Sequence, residues 1–484
     1  MSKGIEIGGM KRECPESMAL PGHWCLWHIL GSDIPCRVAS AEPDSVSPSD
    51  SHFRHLAGGR QAISMVFFGI EGDTMQDSQL YQQILGITTP WRVERVELQL
   101  KEGEVHVYLG HESQVSWTCP ECGADSPLYD HDSARLWRHL DTCQYRTILH
   151  AEPPRCRCPE HGVRVVRLPW AEPHSHFTAL FERLAIDWLK AASQQAVADQ
   201  MGLTWDEVHG IMERAVRRGL TRRKAEMIGY LGVDEKSFRK GHKYVTLVND
   251  LARGRVLYVA EGRKQSSLDG FWPTLTKEQT DWIAGVALDM WDPYVKSIRA
   301  HLSQPEEKMV FDKFHVAKHL GEAVDKVRRT ENKELHAEGD ERLKGTKYDW
   351  LKGRDRFDLA AWRKFCQLRR SKLKTSRAWA MKEQAMKLWD FTYEGAARNH
   401  FTWWYRWATH SRLKPMIDKA KMLVSHLPNI LTYLKHGITN AASESINSKI
   451  QWVKYTARGF RNLDNFKNAI YFHCGDLDLS PRPT

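Results

Sequence analysis

The apolar positions of this chain change period along its length, and each period predicts a different element. From Trp91 they alternate. Val93, Val96, Leu98 and Leu100, then Val105, Val107 and Leu109, sit at or near period two around Glu102-Gly103. That alternation predicts a hairpin. Between 175 and 219 the period lengthens to that of helices. Phe177, Leu180, Phe181, Leu184 and Trp188 form one stripe. After it a short helix is predicted to end at Gly202, with Thr204 capping the next and Val208, Ile211, Met212 and Ala215 as its inner face. Two helices joined in this way have the form of a helix-turn-helix. From Met227 the apolar residues come in short unbroken runs that suit buried strands: Met227 to Val233, Tyr244 to Asn249, Arg255 to Glu261, Ile283 to Leu288 and Lys308 to Phe311. Ser267 to Asp281 reads as helical between the third and fourth runs. The first run exits into Asp234-Glu235, the fourth into Asp289 and the fifth into Asp312. This order of strands, with carboxylates leaving the first and the fourth, is the layout of a ribonuclease-H-like domain.

Residues 316 to 436 interrupt that layout with long basic helical sequence carrying Trp350, Trp362, Trp379, Trp389, Trp403, Trp404 and Trp407. Most of these should be core, and one or two exposed on a basic surface could stack on an unpaired base. A last helix follows, capped by Asn440 or Ser443, with Ile446, Ile450 and Val453 facing inward and Glu444 in its first turn. The first 74 residues show neither period, and ordered-looking sequence begins at Met75, which is therefore expected to be the native start.

Composition narrows the class. The chain has 484 residues, 42% hydrophobic, with 70 Lys+Arg against 60 Asp+Glu for a formal charge of +10. The excess of base points to a polyanionic partner. No apolar run approaches the ~20 residues of a membrane span, so a cytoplasmic protein without membrane contact is expected. The ten cysteines do not form a disulfide scaffold. Cys119-Pro-Glu-Cys122-Gly and Cys158-Pro-Glu-His161-Gly are matched knuckles with the same spacing and the same trailing glycine. Together they predict a tetrahedral Cys₃His zinc site. One knuckle alone would be read as a turn with buried thiols. Cys156 remains a substitute for Cys158 or His161.

Arg214 to Lys224 holds six basic residues and no acid. This tail favours DNA over the blander reading, a solvated helical pair. The predicted DNA contacts are Trp205, His209, Arg214, Arg217, Arg218, Arg222, Arg223 and Lys224. Asp234, Asp289 and Glu444 could converge, two from strand ends and one from a helix packed on the sheet. Few, hard oxygen ligands suit Mg²⁺ or Mn²⁺. Two such ions about 3.5–4 Å apart would activate a water or a 3′-hydroxyl for in-line displacement at a phosphodiester. Asp292 and Asp312 remain alternatives for the second acid, with strand order favouring Asp289. Asp312 with His315 reads as a supporting turn.

GVDEKS, LDMWDPY, FDKFHVAKHL and SESINSKI…ARGFRN, with CPECG, WRHLD, CPEHGV and LPWAEPHSHFT upstream and in the same order, resemble the DDE transposases of the ISL-three insertion-sequence family. The resemblance spans about Met75 to Cys474. It implies an α/β multidomain protein with a zinc finger, a helix-turn-helix and a ribonuclease-H-like catalytic domain carrying a helical insertion. Its catalytic acids would be Asp234, Asp289 and Glu444, and its finger ligands Cys119, Cys122, Cys158 and His161. The domains expected are an irregular arm over 1–74, a β-rich zinc-finger domain over 75–170 and a helix-turn-helix over 171–225. The catalytic domain then follows in two parts, 226–319 and 437–484, around an insertion over 320–436. The function implied is that of a bacterial transposase that binds terminal inverted repeats and target DNA, nucleoid-associated when bound; because two DNA ends must be handled together, a homo-oligomer is expected. A catalytically inactive DNA-binding regulator is the rival reading. A nuclease of RNA–DNA hybrids would fit the acids but not the two upstream DNA-reading modules.

Overall fold

The computed structural model describes residues 76–239, 243–438 and 441–481. The arm over 1–74 and the reading of Met75 as the start lie outside these residues.

After α1 (Asp77–Ile84), β1 (Trp91–Gln99) and β2 (Glu104–His111) form the expected antiparallel hairpin, with Val96 opposite Val107. Three short strands follow, β3 (Trp117–Thr118), β4 (Asp125–Ser126) and β5 (Leu128–His131). β6 (Arg135–Thr142) and β7 (Tyr145–Ala151) complete a four-stranded sheet in the order β1-β2-β7-β6. β8 (Pro154–Cys158) and β9 (Gly162–Val165) join β5 in a small antiparallel sheet, and β3 pairs with β4. Alternate side chains of β2 turn inward, so Val105, Val107 and Leu109 meet Leu149 and the tryptophans 91, 117, 137 and 170 in one core.

The helical unit is α2 (Ala179–Ala191), α3 (Gln194–Met201) and α4 (Trp205–Arg222). Thr178, Ser193 and Thr204 each accept a hydrogen bond from a first-turn N–H, and Thr204 forms a capping box with Glu207. Gly202 ends α3 at φ 64°, a conformation other residues adopt only at a cost. The predicted inner face of α4 is buried in full. The stripe predicted for α2 is corrected. Phe177 and Phe181 are inside, but Leu180, Leu184 and Trp188 are exposed, and α2 buries Glu182, Ala185, Ile186 and Leu189 instead. The helix is turned because Glu182 finds partners inside: Ser175 Oγ at 2.8 Å and Arg214 at 2.6 Å.

A five-stranded sheet follows, from β10 (Tyr230–Arg239), β11 (Lys243–Asp250), β12 (Arg255–Glu261), β13 (Gly285–Leu288) and β14 (Met309–Phe311), in the order β12-β11-β10-β13-β14. The first three pair antiparallel, and β10, β13 and β14 run parallel. Helices α5 (Gln265–Asp269), α6 (Lys277–Trp282), α7 (Asp292–His301) and α8 (Pro305–Lys308) make the connections. The single helix expected over 267–281 is thus two, separated by a 3₁₀ turn at Trp272–Thr274. Pro273 there has no N–H to continue a ladder.

The helical segment begins with α9 (Lys313–Ala337), α10 (Lys347–Leu351), α11 (Leu359–Arg370) and α12 (Lys374–Met386). It continues through α13 (Glu394–Thr409), α14 (Lys414–Ser425), α15 (Leu427–Leu431) and α16 (Tyr433–His436). Trp350, Trp379, Trp389 and Trp404 are buried in it, and Trp403 is exposed. Its core is continuous with one face of the sheet, through Leu231, Val233, Val286, Leu288 and Phe311. The other face, with Phe238, Val245, Leu247 and Val259, is covered by Ile446 and Ile450 of α17 (Ala441–Thr456) and by Phe466 and Ile470 of α18 (Leu463–Cys474). Val453, the third predicted inward residue of α17, reaches the helix-turn-helix core.

Candidate functional site

Asp234 does not stand at a strand exit, as the sequence suggested. β10 runs five residues further, to Arg239, held by pairing with β11. What ends near Asp234 is the parallel pairing: Gly232 lies opposite Ala287, the last pair between β10 and β13. Asp234 and Asp289 each lie two residues beyond that pair, so they occupy matching register positions on neighbouring strands. Asp312 holds the next such position, because Leu288 lies opposite Phe311. Side chains repeat every two residues along a strand. Asp234 is therefore on the face of Phe238, the one that α17 covers, and opposite to Val233.

α17 is locked to this face by polar contacts. Asn249 Nδ2 donates to Ser443 Oγ at 3.1 Å, both side chains being buried. Asn447 donates its side-chain N–H to Asp234 Oδ2, and the Lys236 ammonium donates to the Asn447 carbonyl at 3.3 Å. The backbone N–H of Glu235 reaches Asp234 Oδ1 at 2.7 Å. Glu444 lies three residues before Asn447, one helical turn away, and is exposed. The three carboxylates are not gathered within 4.8 Å of one another.

His315 Nδ1 lies 3.2 Å from Asp289 Oδ2. Asp312 stands at the N-cap of α9 and His315 in its first turn, and from that turn His315 reaches Asp289. Burial works to raise the Asp289 carboxyl, but the imidazole beside it and the Met290 N–H outweigh burial and hold it below the usual range. For His315 burial works downward, and Asp289, then Asp234 and Asp312, carry it above the ordinary value. Asp312 itself is buried, whereas Asp292 is exposed in the first turn of α7. Next to Asp234, Glu235 pairs with Arg263 at 3.3 Å. The guanidinium lies over the rings of Tyr244 and Trp291, 4.5 and 4.8 Å from their centroids. Asn447, Lys236 and Arg263 were absent from the sequence reading, and Glu235 entered it only as the neighbour of Asp234. Only Asn447 carried a local signal, its spacing of three from Glu444.

Cys119, Cys122, Cys158 and His161 form the one such cluster among the described residues, with ligand atoms all within 4.8 Å of one another. Cys122 Sγ is 3.6 Å from Cys158 Sγ, and His161 Nδ1 is 3.6 Å from Cys158 Sγ and 4.0 Å from Cys119 Sγ. A tetrahedron with Zn–S of about 2.3 Å places sulfurs about 3.8 Å apart, so the donor set fits structural zinc. The backbone N–H and then the ring of His161 bring the Cys158 thiol down to about 6, favouring the thiolate a metal needs. Cys156 is fully buried outside the cluster, and burial pushes its thiol up.

The basic run that closes α4 and continues to Lys224 is largely turned into the protein, contrary to expectation. Arg214 binds Glu182. Arg218 is buried, paired with Glu172 and with Glu182 at 3.3 Å, and donates to the Leu479 carbonyl at 2.9 Å. Arg222 donates to the Ser480 carbonyl at 2.6 Å, and Arg223 to the carbonyls of Val256, Leu257 and Gly475 at 3.0, 3.0 and 2.7 Å. Gly219 lets Leu477 approach so closely that an added Cβ would lie 2.6 Å from its Cβ. These arginines bracket the helix-turn-helix to the C-terminal segment and to β12. Arg217 and Lys224 are exposed. Trp205, 39% exposed at the start of α4, stacks on His209 with centroids 4.9 Å apart.

Comparison with known proteins bears on all three regions. Residues 231–470 match a family model described as a transposase, and residues 116–161 one described as the zinc-finger of transposase IS204/IS1001/IS1096/IS1165. Residues 166–216 match the helix-turn-helix domain of transposase family ISL3. The chain is 28% identical over 397 residues to the transposase for insertion sequence element IS1001 of Bordetella parapertussis, covering 81% of this chain and 97% of that protein. It is 27% identical over 420 residues to the transposase for insertion sequence element IS1557 of Mycobacterium tuberculosis, covering 80% and 93%. No helix among the described residues is long and apolar enough to cross a membrane. With a zinc ribbon, a helix-turn-helix and a transposase domain in that order, the chain belongs to the ISL3 family of insertion-sequence transposases.

Proposed function

We propose that this transposase cuts and joins DNA strands at the terminal inverted repeats of its element by a DDE mechanism. Asp234, Asp289 and Glu444 are its acids, on a ribonuclease-H-like domain. The observation that carries the reading is the matched register of Asp234 and Asp289 on parallel neighbours, under the helix that brings Glu444. Three antiparallel strands continued by two parallel ones support the ribonuclease-H-like assignment. Asp289 is preferred to Asp292 because it faces His315, and to Asp312 because Asp312 is buried.

The donor set is all carboxylate oxygen, which suits Mg²⁺ or Mn²⁺, two ions being proposed. Bound there, they would activate the attacking hydroxyl and stabilise the departing oxygen. The chain's own residues prepare the ligands. His315 keeps Asp289 ionised, and the Asn447 side chain with the Glu235 N–H fixes both oxygens of Asp234. A carboxylate oxygen has lone pairs beyond one accepted hydrogen bond, so each keeps capacity for a cation. End recognition falls to the zinc ribbon and to α4, whose exposed Trp205, half-buried His209, and Arg217 with Lys224 are the candidate DNA contacts. Two ends must be held together, so a homo-oligomer on DNA is proposed.

The test is nicking of DNA carrying the element's own ends. Wild type should nick with Mg²⁺ or Mn²⁺ and not in their absence, and Asp234→Ala should bind the ends without nicking. Tight binding with no nicking by either protein under any divalent ion would favour the inactive regulator.

A further inference from the structure

A cavity of about 1580 Å³ lies between α9, α10, α11 and α12, and Asp312 and Glu444 are among the residues that line it. Clefts for small ligands span roughly 300–1,000 Å³. This one is large enough for a length of polymer. Phe314, next to His315, also lines it and is 53% exposed. Its ring meets that of His315 at a steep angle, centroids 5.7 Å apart, and leaves about half its surface open.

The lining carries nine basic side chains against seven acidic ones, together with the rings of Phe314, Phe357, Trp362 and Trp379. Arg354 and Arg369 lie over the ring of Trp362, 5.4 and 5.5 Å from its centroid, and Arg369 is also 5.8 Å from that of Trp379. Among the described residues neither forms an ion pair with a carboxylate, nor does the exposed Arg370, and Arg369 Nε is buried without a hydrogen-bond partner. Two of the lining acids are already paired: Glu383 with Lys382 at 3.1 Å, and Asp325 with Arg328 and Arg329 at 2.8 and 3.2 Å. A guanidinium held by an aromatic face keeps its charge and its donors for another anion. Arginine donors for phosphates with rings for bases select unpaired strands, because in a duplex the base faces are hidden by stacking.

We propose that this cavity receives a short single-stranded stretch of DNA leaving the active site, with a base against Phe314 and phosphates on Arg369 and Arg370. The proposal rests on the reading of Glu444 as a catalytic acid, which puts the cavity mouth beside the cut strand. It assigns the helical insertion a substrate-binding role.

The test separates the two readings because it needs no cleavage. The full-length protein is titrated, in Ca²⁺, with a blunt duplex of arbitrary sequence and with the same duplex bearing a four-nucleotide single-stranded tail. Wild type should bind the tailed form more tightly by on the order of tenfold, the scale of one base–aromatic stack. Phe314→Ala and the pair Arg369→Gln/Arg370→Gln should each bring that preference below about threefold, with affinity for the blunt duplex unchanged. Phe314 is exposed, so its removal leaves the core intact, and far-UV circular dichroism checks both variants. A wild type without the preference, or variants that both retain it, would overturn the proposal. Metal-dependent nicking lost in Asp234→Ala would in that case leave the catalytic reading standing.

Discussion

Arg217 and Arg218 are neighbours in the same helical run, and the structure predicts opposite consequences for their loss. Arg218 is buried against Glu172 and Glu182, and Glu182 is itself 1% exposed. Breaking a buried pair costs about 3–5 kcal/mol, chiefly because the remaining charge is stranded. In Arg218→Gln, Glu182 keeps Arg214 at 2.6 Å and Ser175 at 2.8 Å, which places the cost at the lower end, about 3 kcal/mol. At 1.4 kcal/mol per factor of ten, amide exchange along α4 should quicken by roughly a hundredfold. The salt dependence of DNA binding by the folded fraction should not change. Arg217 is exposed, so Arg217→Gln should leave exchange alone and lower the slope of log K against log salt by about 0.9 if it meets a phosphate. Hydrogen exchange with mass analysis and a salt titration read both quantities on the same samples. Unchanged exchange in Arg218→Gln together with a reduced salt slope would refute the bracket and return Arg218 to the DNA.

Cys122→Ser should lose its zinc by metal analysis and weaken end binding; a full equivalent of zinc in the variant would contradict the ligand set. Asn447→Leu should slow nicking by on the order of tenfold or more, since it frees one oxygen of Asp234. End binding should stay within about twofold, and equal losses in both would mean a general folding defect. His139 and His473 are pressed by burial down to about 4. In the unfolded chain they take up protons near 6.5, so the unfolded state binds more protons between the two values. Their contribution to stability is therefore whole above pH 6.5 and lost as pH falls toward 4, up to about 3 kcal/mol for each. Urea midpoints at pH 7 and 4.5 should drop for wild type and drop less for His473→Phe; equal drops would show that His473 is not the source.

The helix-turn-helix could be read from sequence because everything that makes it is local. Thr204, Glu207 and Gly202 act within a few residues, and the inner face of α4 follows one period. The cluster of Cys119, Cys122, Cys158 and His161 was legible for the same reason, as each knuckle is a turn. Asp234 was placed on the right strand and the wrong position. An apolar run marks where a strand is buried, whereas β10 continues as a polar edge through Lys236 and Arg239 because β11 still pairs with it. The fate of the arginines was hidden, since their partners lie up to 261 residues away, at Leu479. The turn of α2 was hidden too. A glutamate on the buried face contradicts an amphipathic pattern unless Arg214 is known to meet it. No pattern could show that Asn447 reaches Asp234, 213 residues earlier.

The most direct test of the acids is a set of single carboxylate variants assayed in parallel for end binding and for nicking in Mg²⁺ and Mn²⁺. Asp234→Ala, Asp289→Ala and Glu444→Ala should each bind the element's ends and fail to nick, while Asp292→Ala, at an exposed position, should nick at near the wild-type rate. Nicking retained in Asp289→Ala, or abolished in Asp292→Ala with binding intact, would contradict the assignment of these acids.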